Sequence, residues 1–184
     1  MAGQGPDPED EDTYAPKLGY GAASKEAHFV AAPLLTAAAL SLAGVVAGAD
    51  DEFRWPGATL VLLVITAMTL IFSMQLAYEA RGHLYSFEEL KDHYEGTRPD
   101  AVPEARMHQE FRAADREWRK GQRRAAEVYN VGTALLGVGV AASLAPPECG
   151  MQASWRWAAA AVVLVGTAAD TVWVLWKLRQ KTQN

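Results

Sequence analysis

Asp170 is the residue on which chemistry could turn. It is a carboxylate within an otherwise apolar run, AAAAVVLVGTAADTVWVLW, six residues before Trp176 and seven before Lys177. At 1.5 Å per residue it lies about 10 Å inside a membrane surface drawn at those two residues. A carboxylate at mid-span costs roughly 2.5–3.5 kcal/mol on insertion scales, so it should face the bundle interior or a water-filled cavity. The same count finds neighbours: Asn130 is six residues inside Arg124, and Gln75 is six inside Arg81. Both fall about 9 Å deep by the helical rise, while Glu127, Glu79 and His28 sit nearer the surface. Asp170, Asn130, Gln75 and Glu127 are therefore the candidates for an intramembrane polar layer. Such a layer suits a proton relay or an ion-selective ring. It equally suits interhelical hydrogen bonding at roughly 0.6–2 kcal/mol per contact, and that structural role is the expected one.

Other chemistry finds little footing. His28, His83, His93 and His108 show no ligand spacing, and no HExxH pair occurs. GxSxG and GxxxxGK[ST] are also missing, which removes the usual hydrolase and phosphate-loop signatures. An intramembrane aspartyl enzyme needs two facing aspartates, and only Asp170 lies in a span; a Glu127–Asp170 dyad is the remaining arrangement. Cys149 is the single cysteine, so neither an intrachain disulfide nor a thiolate pair for metal can form. It is left as a free thiol or an intermolecular bridge. No enzyme activity, cofactor or metal is expected.

The elements that must position these residues are four apolar stretches, 29–49, 57–79, 125–145 and 155–176. Each reaches the about 20 residues that cover ~30 Å of hydrocarbon. The mean hydropathy of -0.07 hides them, because it averages apolar blocks with charged ones. Fifteen of the seventeen basic residues lie in the N-terminal arm, in 80–124 or in the tail; only Arg54 and Arg156 lie elsewhere. Basic residues in short loops stay in the cytoplasm. The expected topology is a multi-pass protein of the cell (plasma) membrane with both termini cytoplasmic. Trp55, Trp155 and Trp157 would mark the outer interface, and Tyr78, Tyr129, Trp173 and Trp176 the inner one.

The chain thus divides into an acidic arm (1–28), two spans (29–79), a cytoplasmic helical segment (80–124), two more spans (125–176) and a basic tail (177–184). The arm is acidic and Pro-rich, so it reads as disordered rather than as a cleaved signal peptide. A net charge of -5 gives no reason to expect nucleic acid as a partner. Eleven Arg against six Lys, with 34 alanines, is a composition of GC-rich bacterial genomes.

Within 80–124, Ser86 and Glu89 form a capping-box pattern for a short helix, and RPDAVP then breaks it. From Pro103 a single helix is predicted to run to about 145. Met107, Phe111, Ala114, Trp118, Gly121 and Ala125 recur at alternating steps of four and three, a heptad-like seam. Its cover is either the 86–94 helix folding back or another protein. The run REWRKGQRR places five basic residues next to the membrane, where it either sets topology or binds anionic lipid at about 1 kcal/mol per residue.

The remaining signals are packing signals. Ala37, Ser41, Gly44 and Gly48 share one face of the first span, and Asn130, Ala134, Gly137 and Ala141 one face of the third. Small residues let helices approach closely. Thr59, Thr66, Thr69 and Ser73 form a hydroxyl stripe that could line a wet path or bond their own helix carbonyls. Pro33 should kink the first span. The predicted fold is all-α: an integral membrane four-helix bundle with a helical cytoplasmic extension between spans 2 and 3. The expected function is a self-associating, non-enzymatic scaffold or effector. Its partners would be membrane lipid, further copies of itself and a cytoplasmic protein. The alternative is a small oligomeric ion or proton channel with Asp170 in its polar layer.

Overall fold

The computed structural model describes residues 26–82, 104–147 and 152–181. The described residues are helical throughout, apart from short connections. Four helices are long and apolar enough to cross a membrane: α1 (Ala27–Gly48), α2 (Pro56–Arg81), α3 (Glu104–Leu144) and α4 (Ala153–Lys181). Their length and composition point to a membrane protein. Exposed apolar side chains such as Leu34, Val61, Met68, Phe72, Val162 and Val165 give them a lipid-compatible surface. Residues 1–25 of the acidic arm, the stretch 86–94 predicted as a helix and Cys149 lie outside the described residues, as does the side chain of Met107.

α1 opens with a π-helical turn, Ala27–Ala31, in which the Ala32 N–H reaches back to the Ala27 carbonyl. Pro33 then occupies the first turn of the α-helical part. The missing N–H of Pro33 falls where the backbone changes from π to α, in a first turn that tolerates proline. Pro56 likewise starts α2.

α2 lies between α1 and α3. Its buried positions Thr59, Leu63, Thr66, Leu70, Ser73, Ala77 and Ala80 alternate in steps of four and three, the period of left-handed helix packing. Leu63 meets Ala43 and Val46 of α1 on one side. On the other side α3 approaches closely through glycines. A Cβ at Gly121 would sit 2.7 Å from Ala80, one at Gly132 2.8 Å from Leu70, and one at Gly139 2.8 Å from Leu63. These pairs run in opposite directions along the two chains, so α2 and α3 are antiparallel. The register also shows that residues 104–119 of α3 extend past the end of α2. Forty-one residues of α3 span about 60 Å at 1.5 Å each, twice the ~30 Å of hydrocarbon.

α4 packs against α3 and makes no substantial contact with α1 or α2. Only 6% of its apolar window is buried, against 33% for α2. The bundle is therefore a row, α1–α2–α3–α4, with α4 as its loosest member. Arg156 fastens one end of this outer helix. Its Nε donates to the Leu144 carbonyl at 3.2 Å, and its Nη2 to the carbonyls of Ser143 at 3.3 Å and Glu52 at 3.5 Å. Carbonyls at a helix C-terminus lack intrahelical donors, so Arg156 supplies α3 with a cap from the neighbouring helix.

Candidate functional site

The face of α3 that carries Asn130, Ala134, Gly137 and Ala141 is the one that receives α4. Gly137 is required there: a Cβ would collide with the Thr167 side chain. Alongside that contact the two helices line a groove of about 650 Å³. Its walls are mainly apolar, with Val131, Leu135 and Val138 from α3 and Leu164, Val172 and Leu175 from α4. Glu127, Asn130 and Asp170 supply its ionisable and amide groups.

Gly137 opposite Thr167 puts Asp170 opposite Ala134, one helical turn from Asn130. Three of the four predicted polar candidates therefore share one groove. Asp170 is exposed, and Asn130 is half-buried. Glu127 is also exposed but is held by Arg123, whose Nε lies 3.2 Å from its Oε1. The hydroxyls of Thr167 and Thr171 donate to the carbonyls of Val163 and Thr167 on their own helix, each at 2.8 Å. The Asp170 carboxylate takes no hydrogen bond or ion pair from any described residue. It is the one ionisable group of the groove not already held.

Gln75 is placed elsewhere. It is exposed on α2 and does not line the groove. The Leu70–Gly132 and Ala80–Gly121 pairs put it level with residues near Glu127, about two turns from the level of Asp170. Counting depth from the span ends could not reveal which way it faces.

Two further residues carry more structure than the sequence implied. His28 is buried and packs against Tyr129 with tilted rings, their centroids 5.5 Å apart. Tyr129 is thus an internal contact and not a simple interface marker. Nearby, the Arg81 guanidinium lies 3.7 Å above the Phe29 ring, tying α2 to α1. Three hydroxyls of the α2 stripe serve their own helix: Thr66 donates to Leu62, Thr69 to Ile65 and Ser73 to Leu70, while the Thr59 hydroxyl has no hydrogen-bond partner among the described residues. Thr59, Thr66 and Ser73 are buried in the seam.

On the extending half of α3, Phe111, Ala114 and Trp118 are all half-buried. The indole Nε1 of Trp118 is buried and has no hydrogen-bond acceptor among the described residues. Of the five basic residues from Arg116 to Arg124, three are bridged along the helix. Arg119 pairs with Asp115 at 2.8 Å, Lys120 with Glu117 at 2.8 Å, and Arg123 with Glu127. Such exposed pairs contribute little stability, but they lower the positive charge left for a lipid headgroup. Among the described residues, no group of three His, Cys, Asp or Glu side chains is placed to hold a metal ion. Family models, curated proteins and solved structures provide no match to this chain.

Proposed function

We propose that this chain is a non-enzymatic multi-pass protein of the plasma membrane that self-associates in the bilayer. It uses the extending half of α3 to engage a partner at the cytoplasmic face, where both termini also lie. The observation that carries this reading is the continuity of the α3 seam. Ala125, Gly132 and Gly139 are buried, Gly121 meets Ala80 at the end of α2, and the same four-three spacing continues through Trp118, Ala114 and Phe111 beyond it. Four-three spacing that continues past the end of α2 is the pattern of helix–helix contacts, and it supports a further helix there. A face for self-association is also present: Ala37, Ser41, Gly44 and Gly48 are exposed on α1, and a Cβ at Gly44 or Gly48 would meet nothing within 4 Å.

The test is the mass of the purified complex in detergent, before and after Phe111→Glu combined with Trp118→Glu. The expected result is an assembly larger than one chain that the double change disperses or strips of its partner, with membrane insertion intact. A strict monomer in both cases that carries no second protein refutes the reading. The channel alternative draws less support, because Asp170 faces a lateral groove rather than a path enclosed by the four helices. Liposomes carrying the protein should leak neither protons nor small cations between about pH 5 and 8, the range in which unperturbed histidine and shifted carboxylates titrate.

A further inference from the structure

We propose that the groove between α3 and α4 binds a lipophilic organic cation, with Asp170 facing the charge and the apolar walls holding the body. The volume of about 650 Å³ lies within the range of small-molecule sites. The lining is of the kind such sites use, a mostly apolar wall with few polar groups at one place. Those groups select the sign of the ligand. The Glu127 carboxylate is already bridged to Arg123, and both threonine hydroxyls donate to their own helix. The Asp170 carboxylate takes no hydrogen bond or ion pair from a described residue and stands one turn from the Asn130 amide, whose oxygen can add its dipole. An anion would meet the Asp170 carboxylate there, and a neutral molecule would leave Asp170 unanswered in an apolar surround.

Position along the helix also narrows the ligand. Asp170 lies seven residues from Lys177, about 10 Å along α4. The ammonium of a phospholipid headgroup held at the level of Lys177 falls short of it. An amphiphile whose own apolar body dissolves in the bilayer can enter sideways, because α4 leaves the groove open laterally. The self-association proposed above uses α1 and the α3 seam, so this site does not depend on it.

The test uses the full-length protein in nanodiscs and radiolabelled tetraphenylphosphonium, with binding to empty nanodiscs subtracted. Saturable binding is expected. Asp170→Asn should weaken it at least about tenfold, the scale of removing one close opposite charge at low dielectric, while Asp170→Glu should retain most of it. Ala168→Trp, which fills the groove from α4, should abolish it; Val61→Trp, at an exposed position of α2 outside the groove, should not. The isosteric anion tetraphenylborate should not compete. Several results would overturn the proposal: no saturable binding to the unmodified protein, equal binding after Asp170→Asn, or competition by the borate. So would a dimer or a retained phospholipid that Ala168→Trp removes without any cation site being present, since the groove would then belong to that occupant. Thermal transitions of each variant confirm that a loss of binding is not a loss of fold.

Discussion

Gly132 of α3 lies so close to Leu70 of α2 that an added Cβ would stand 2.8 Å from Leu70 Cδ2. Helix association in a bilayer relies on such close contact because lipid is as apolar as the side chains it replaces. Replacing Gly132 with Leu should therefore force the two helices apart and destabilise the protein by roughly 1–3 kcal/mol, as overpacking does. Gly44→Leu is the matched control, since nothing lies within 4 Å of its added Cβ. Thermal scans in detergent should show a clear drop for the first and little change for the second.

Arg156→Ala should loosen the far end of α3. The Leu144 and Ser143 carbonyls lose their guanidinium donors, at a cost of about 1–3 kcal/mol where water does not replace them. The Ala145 amide, which closes the last turn onto Ala141 and Ala142, should exchange its hydrogen faster. Unchanged protection at Ala145 would show that water caps these carbonyls as well as Arg156 does.

The orientation predicted from the basic residues is open to direct measurement. Reporter fusions at Asp12, Asp100 and Asn184 should give cytoplasmic signals, and fusions at Glu52 and Cys149 external ones. An external signal from Asp100 would invert the assignment of the extending half of α3.

If α1 is the surface for self-association, bulky residues on its small face should act on assembly alone. Gly44→Ile together with Gly48→Ile should shift the detergent-solubilised protein toward the monomer by light scattering. The thermal transition of each chain should stay in place, because both positions face away from α2 and α3. Equal masses before and after would place the contact elsewhere.

The spans were legible in the sequence because apolar length is a local property. The predicted stretch 29–49 falls within Ala27–Gly48 to one residue, and the long helix anticipated from 103 to 145 runs Glu104–Leu144. The four-three alternation from Phe111 to Ala125 was equally legible, since a seam is written in the residues of one helix. Direction around a helix was harder. Gln75 lies midway between the buried Ser73 and Ala77, and two residues' rotation on either side turns it outward. The spacing held that signal, which counting depth alone passes over. Arg156 read as a charge on the less basic side; that it caps α3 depends on where a different helix ends. That α4 leans mainly on α3 was not written locally either, because Ala-rich and Val-rich faces are acceptable to helix and lipid alike.

α3 runs from Glu104 to Leu144 as one helix, so its two halves share a single rotational phase. Each residue advances that phase by about 100°. One alanine inserted between Trp118 and Gly121 would swing Phe111 and Ala114 through about a quarter turn relative to Gly132. Seven inserted residues would restore the alignment to within about 20°. The helix is in this sense a drive shaft, and torque applied at its Gly132 end is delivered at Phe111.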